Sequence, residues 1–440
     1  MQQYFNDLAD FLAACLRRGE KYKCWLSAEE TDFVRFNRSA IRQPGHVRQV
    51  TLTLDLIDGL RHAGSKLTLS GNPAADQMLV ANAIEALRSQ LPDLPDDPHL
   101  MLADEIRSSE HIGVHGLPDT GTIVDEVLAA AQGHDLVGIL AAGPVYRGFA
   151  NSSGQRNWHQ ASSFNLDWSL YQSRDKAVKS AYAGVEWDSA VFHAKFAQAV
   201  EQLALLERPP VTMPPGSYRA YLTPTAFNEI ISMFNWDGFS EKALRTKQSS
   251  LRRMRHDSVQ LSPMLTLAEN TAEGLAPGFQ AEGFIKPACV VLLDRGRLVG
   301  SMVAPRTAME YGIAPNGTDA SETMASIDIA GGDLPMAEVL SALGTGIYVS
   351  NLWYLNYSDR SSCRITGMTR FATFWVEDGK IVAPLNVMRF DESLFSLLGD
   401  NLLALTRERE MLIDGSSYGE RQTGSTHLPG ALVSGLTFVL

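Results

Sequence analysis

The sequence predicts an α+β fold in two parts: an N-terminal α/β region of antiparallel strands flanked by helices, and a C-terminal β-rich domain built as a curved sheet or open barrel. Helical and period-2 apolar spacings alternate along the first half of the chain. A proline-rich break, Pro209-Pro-Val-Thr-Met-Pro-Pro-Gly216, then interrupts all periodicity. Beyond it the chain reads as short apolar runs separated by Gly, Asn and Asp, the pattern of a mostly β domain. At 440 residues the chain is long enough for about two or three domains, each with its own core.

Phe5, Leu8, Leu12, Cys15 and Leu16 fall at helical spacing and predict an amphipathic helix over residues 3–18. Val50, Leu52, Leu54 and Leu56 alternate with Thr51, Thr53 and Asp55, the period of a strand with one buried face. Residues 21–28, 32–38 and 66–70 predict its neighbours. Asn72-Pro73 supplies an N-cap followed by proline at the first helical position, with Val80, Ile84, Leu87 and Leu91 as the buried stripe. A second break, Pro92-Asp-Leu-Pro-Asp-Asp-Pro98, ends this piece. The next predicts a helix over 123–132 stopped by Gly133, strands over 136–140 and 164–171, and a long helix over 189–206. Past Pro215, strands are predicted at 289–293, 346–351, 371–376 and 380–387. The expected domains are therefore 1–98, 99–213 and 214–440.

An apolar content of 45% with 20% charged residues excludes a disordered chain. The 38 basic residues are outnumbered by 50 acidic ones, and a net charge of -12 repels phosphate backbones unless the basic residues concentrate somewhere. One short cluster, Lys247, Arg252, Arg253 and Arg255, lacks interleaved aromatics and reads as a solvated face, so no direct nucleic-acid partner is expected. The longest apolar stretches, 136–145 and 288–293, fall far short of the ~20 residues of a membrane helix, so no membrane is expected either. The opening Met-Gln-Gln-Tyr-Phe-Asn-Asp carries no basic segment followed by an apolar one, which predicts no secretory signal. Cys15, Cys24, Cys289 and Cys363 show neither CxxC nor CxxxC spacing, against a disulfide framework or a cysteine zinc site, and a reducing cytoplasm is expected.

Several motifs are weak on context. Gly415-Ser-Ser-Tyr-Gly419 matches a nucleophile elbow, but only Glu420 and His427 follow it and no helix pattern does, so it reads as a polar turn. His111, His115 and Asp119 have ligand spacing for a metal on a helix, yet Gly113, Gly116 and Pro118 break any helix there and favour an exposed loop pair. Gly344-Thr-Gly346 lacks the third glycine of a dinucleotide loop and reads as a turn entering a strand. The stretch 352–370, with Trp353, Tyr354, Asn356, Tyr357, Asp359, Arg360, Thr366 and Arg370, has the composition of a peptide or ligand groove, a composition shared by loops between strands. In a groove the aromatics give contact area, while Asn and Arg fix carbonyls and carboxylates.

A run of features in one order carries a family resemblance. Asp135-Leu-Val-Gly138 and Phe149-Ala-Asn-Ser152 lie upstream of Pro215-Gly-Ser-Tyr-Arg-Ala-Tyr-Leu-Thr-Pro224, Phe279-Gln-Ala-Glu-Gly283, Gly346-Ile-Tyr-Val349, Ile365-Thr-Gly367 and Trp375-Val-Glu-Asp-Gly-Lys380. Together they resemble the TldD/PmbA family, the so-called modulators of DNA gyrase. The resemblance implies a three-part layout and a relation to zinc peptidases whose active subunit carries H-E-x-x-H on a helix after the Tyr-Leu-x-Pro strand, with a third ligand from a cysteine near the C-terminus. Here that place reads Asn228-Glu-Ile-Ile-Ser232, and no cysteine follows Cys363. The resemblance therefore implies a PmbA/TldE-like subunit without a metal or catalytic residues of its own, inactive alone, in which Asn228, Glu229 and Ser232 mark a vestigial catalytic helix. Zinc is expected on a TldD-like peptidase partner, in a hetero-oligomer or a homodimer, with a peptide substrate touching Tyr354, Asn356, Thr366 and Arg370. Two alternatives stay open: a homodimeric peptide- or ligand-binding module, and a peptidase with an unfamiliar metal site at His256-Asp257 or at His111 and His115.

Overall fold

A computed structural model describes residues 1–103, 105–173 and 176–439. Helix α1 (Gln2–Ala14) buries Phe5, Leu8 and Leu12. It stops four residues short of the predicted end because Glu20 takes the Arg17 backbone N–H (2.8 Å) and Gly19 turns the chain at φ +96°. Strand β1 (Glu20–Asn37) runs through both predicted strands at 21–28 and 32–38. The gap between them is only in the apolar pattern: Glu29 and Thr31 are buried, and the Thr31 hydroxyl donates to Glu29 at 2.8 Å. Strands β2 (Ala40–Asp58) and β3 (Arg61–Leu69) follow. Helix α2 (Pro73–Gln90) is capped by Asn72, whose side chain accepts from the Ala75 N–H, and it buries Val80, Ile84 and Leu87.

Strand β4 (Ser109–Ile112) takes up His111, so the predicted loop is partly strand. Asp119 is the N-cap of α3 (Thr120–Ala130), accepting from the Thr122 N–H. Strands β5 (Asp135–Asn151) and β6 (Arg156–Ser173) are far longer than the segments 136–140 and 164–171. Strand β7 (Lys176–Gly184) and helix α4 (Ser189–Leu205), capped by Asp188, complete the region. Among the described residues these strands make one seven-stranded sheet in the order β3-β2-β1-β5-β6-β4, with β7 added on β6. It is antiparallel except for β4 on β6. Strand β1 pairs with β5, Trp25 opposite Phe149, so residues 1–98 and 99–213 contribute to a single sheet.

The C-terminal half begins with β8 (Gly216–Leu222), α5 (Pro224–Ser232), α6 (Glu241–Arg245) and α7 (Arg252–His256). Strands β9 (Leu267–Glu269), β10 (Val290–Asp294), β11 (Arg297–Leu298) and β12 (Ser326–Ile329) are short, as predicted. The strands that follow are not all so. Strands β13 (Gly346–Asp359) and β14 (Arg364–Glu377) form one long bulged hairpin that absorbs the segment 352–370. Strands β15 (Lys380–Pro384), β16 (Arg389–Ser393), β17 (Leu402–Ile413) and β18 (Ser425–Phe438) complete an eleven-stranded sheet among the described residues. Its path runs β18-β16-β14-β13-β8, and β18 then pairs back onto β8 with Leu432 opposite Tyr221. Five strands thus close into a ring, where the sequence predicts a curved sheet or open barrel.

Apolar packing joins the halves. A core cluster of Trp168, Phe192, Leu140 and Val178 in the first region continues into Tyr221, Tyr348, Phe374 and Leu432 of the second. The basic cluster divides: Arg255 pairs with Glu241 at 2.7 Å, and Arg253 lies over the Phe395 ring. No helix among the described residues is long and apolar enough to cross a membrane.

Candidate functional site

Helix α5 is built as an amphipathic wedge. Thr223 caps it by accepting from the Ala226 N–H, Pro224 fits the first turn, and Ala226, Phe227, Ile230 and Ile231 enter the core. The remaining face repeats at helical spacing as Thr225, Asn228, Glu229 and Ser232, and it lines a cleft of about 730 Å³. The facing walls come from Asp167 and Lys179 of the β6–β7 hairpin, Asn351 to Trp353 of β13, Arg370 and Phe371 of β14, and Asp414 at the end of β17. The site therefore lies where the two sheets meet.

Its charges are unevenly satisfied. Lys179 is paired with Asp167 at 2.9 Å. Glu229 is open to water in the cleft, but the surrounding walls hold its carboxyl pKa above the usual carboxylate range, against the opposing pull of Lys179. Oδ1 of Asn228 is buried without a hydrogen-bond partner. Arg370 stacks 4.2 Å from the Trp353 ring centroid and 5.1 Å from that of Phe371, and makes no hydrogen bond or ion pair among the described residues. Asn351 stands opposite Arg370 in the β13–β14 ladder, and its Oδ1 accepts from the Ser350 hydroxyl at 2.8 Å. Two aromatics here hold left-handed backbone, Tyr354 at φ +60° and Phe371 at φ +59°, a conformation costing roughly 1–3 kcal/mol for such residues.

Of the residues singled out from sequence, the structure brings Asn228, Glu229, Ser232 and Arg370 into this cleft. Tyr354, Asn356 and Thr366 lie outside its lining. The ladder slips between Trp353 and Asn356, which changes the faces that follow. Tyr354 is 74% exposed. Asn356 takes the backbone N–H of Tyr357 at 2.8 Å. Thr366 donates to the Phe390 carbonyl and accepts from Arg389, tying β14 to β16. Asn351 and Phe371, which also line the cleft, flank the aromatic-rich stretch 352–370 and carry no distinguishing sequence signal, while Trp353 lies within it. Lys179 and Asp167 carry no sequence signal, since a different sheet delivers them.

The other motifs are dispersed. His111 stacks on the buried His159 with ring centroids 5.0 Å apart. Burial first, then His111, depresses the pKa of His159 to about 4, which keeps it neutral beside the Leu275 carbonyl. His256 meets the Leu244 carbonyl at 3.4 Å. No group of three His, Cys, Asp or Glu side chains is arranged to hold a metal among the described residues. Zinc in the manner of a peptidase does not fit α5: the cleft offers an amide, a carboxylate and a hydroxyl where imidazole and thiolate nitrogen and sulfur ligands are needed, and Cys363 is buried in the core.

A two-sheet α+β protein, whose C-terminal sheet closes into a ring and presents one short helix to a cleft, is the class that this fold and site define. Residues 215–439 match the PmbA/TldA metallopeptidase C-terminal domain, and the chain belongs to that PmbA/TldD family. Its fold is similar to the crystal structure of a candidate modulator of a DNA gyrase from Thermotoga maritima, with TM-score 0.77 and 14% identity over 99% of this chain and 100% of that one. TldE from Thermococcus kodakarensis gives 0.77 and 13% over 99% and 100%. A candidate modulator of DNA gyrase from Bacteroides thetaiotaomicron gives 0.74 and 16% over 99% and 98%. At such identities the likeness is one of fold. No curated protein matches at a significant level.

Proposed function

We propose that this chain is the metal-free, PmbA/TldE-like subunit of a TldD/PmbA-type metallopeptidase system, forming part of the peptide cleft while hydrolysis takes place on a zinc-bearing TldD-like partner. The observation that carries this reading is the cleft face of α5, where Asn228 and Ser232 flank Glu229. Glu229 alone has no Lewis acid to lower the pKa of a water molecule, and an unassisted carboxylate does not drive peptide hydrolysis at useful rates. The remaining walls suit binding: aromatic area from Trp353 and Phe371 beside a few polar anchors. The chain works in a reducing cytoplasm, in keeping with its four free cysteines, and pairs as a homodimer or with the partner.

The test is metal content together with casein or unfolded-peptide cleavage, on the purified chain alone and mixed with an H-E-x-x-H homologue from the same organism. Cleavage confined to the mixture supports the accessory-subunit reading. Stoichiometric zinc with activity in the chain alone overturns it, and peptide capture with no cleavage in any mixture favours a homodimeric binding module.

A further inference from the structure

We propose that the cleft takes the free C-terminal end of a peptide, its α-carboxylate held by Arg370 and Asn351. The proposal rests on the peptide-cleft reading above and adds which part of a peptide is recognised.

Arg370 is the cleft cation left free among the described residues, since Lys179 is spent on Asp167. Its guanidinium carbon lies 4.2 Å from the Trp353 ring centroid, and no side chain among the described residues takes up its N–H fork, which leaves that fork for a bidentate carboxylate. Asn351 stands directly across the ladder from Arg370. The Ser350 hydroxyl occupies its amide oxygen, while its amide nitrogen has no partner among the described residues. One wall thus sets a cation and a neutral N–H donor side by side.

A peptide C-terminus carries the complement of this arrangement, two carboxylate oxygens that accept from the guanidinium fork and from an amide N–H. Trp353 and Phe371 provide apolar surface beside the anion site for a terminal side chain. Glu229 and Asp414 on the other walls repel an extended polyanion, so the cleft selects a single carboxylate over a phosphate chain. The left-handed backbone of Phe371, next to Arg370, is a strained feature of the kind that binding sites retain.

The experiment is fluorescence anisotropy on the purified full chain with one N-terminally labelled, unstructured hexapeptide ending in leucine, prepared as the free acid and as the C-terminal amide. The acid is expected to bind at least about tenfold more tightly than the amide, and Arg370→Ala to remove that preference, with Arg370→Lys intermediate because it keeps the charge and loses the fork. Equal binding of acid and amide overturns the proposal and leaves the peptide cleft standing. Binding of neither overturns both. The acid-to-amide comparison on the wild-type chain needs no variant, so a misfolded substitution does not shield the idea.

Discussion

The guanidinium carbon of Arg370 stands 4.2 Å from the centroid of the Trp353 ring, and this contact holds in the cleft a cation that forms no ion pair among the described residues. A half-buried arginine gains roughly 0.5–2 kcal/mol from an aromatic face, enough to hold its orientation. Trp353 is itself 48% exposed, so the pair faces both the protein and whatever enters.

Trp353 and Tyr354 are neighbours in sequence with ring centroids 5.6 Å apart, yet only Trp353 lines the cleft. Trp353→Ala is expected to weaken capture of an unfolded peptide by about tenfold, the usual consequence of removing an aromatic anchor. Tyr354→Ala is expected to change it by less than about twofold. Anisotropy titrations of both variants decide the matter, and an equal loss in the two would remove the cleft as the capture site.

Glu229 gives a prediction with a definite sign. Its folded-state pKa lies above the unfolded value of 4.5, so the folded chain holds the proton more tightly and stability falls as pH rises through the interval between the two values. Glu229→Gln, neutral at every pH, should therefore melt above the wild type at pH 7.5 and lose that advantage at pH 4. The effect is small, since water in the cleft screens the carboxylate. Glu229→Ala should leave the cleavage activity of a mixed assembly nearly intact, and a large loss there contradicts a vestigial helix.

How much of this was legible in sequence follows the range of each interaction. The Asn72 cap and the Val80, Ile84 and Leu87 stripe are local, and α2 formed where its spacing placed it. Glu29 and Thr31 hid the continuity of β1, because two polar side chains that satisfy each other in a buried sheet look like a break in an apolar pattern. Arg370 was visible as one polar residue in an aromatic stretch, whereas the bulge that separates Trp353 from Asn356 has no signature in residue type. Lys179 and Asp167 reach the cleft from another sheet, and ring closure joins Tyr221 to Leu432 across about half the chain, distances at which periodicity says nothing.

Gly143 shows how closely β5 and β1 approach. Its φ of +139° disfavours side chains, and a Cβ there would sit 2.2 Å from the Glu30 carbonyl oxygen. Its own carbonyl accepts from Arg421 at 3.0 Å, which anchors the segment between β17 and β18 on the N-terminal sheet. Gly143→Ala is expected to destabilise the chain by at least about 2 kcal/mol and to expose residues 414–424 to protease. Limited proteolysis beside a urea titration checks it, and a variant as stable and as resistant as wild type would contradict the close approach.

Glu241 is the carboxylate whose ionisation the fold depends on most plainly. It is buried, and burial pulls its pKa up, yet hydrogen bonds from Arg255 (2.7 Å), Ser301 (2.7 Å) and Arg245 (2.6 Å) override that and bring it down to about 2. A group whose folded pKa is depressed contributes stability in full above its unfolded value, 4.5, and loses it as pH falls through the folded value. At 1.36 kcal/mol per pKa unit the gap corresponds to roughly 3 kcal/mol, and screening through the partly exposed arginines trims it to roughly 2 kcal/mol. Glu241→Gln should therefore be less stable than wild type by about that amount at pH 7 and pH 5, with the difference shrinking by about half near pH 3 as the wild-type advantage fades. Urea titrations at the three pH values measure it. A difference that stayed constant down to pH 3 would mean that Glu241 acts through its shape and neutral hydrogen bonds and not through its charge.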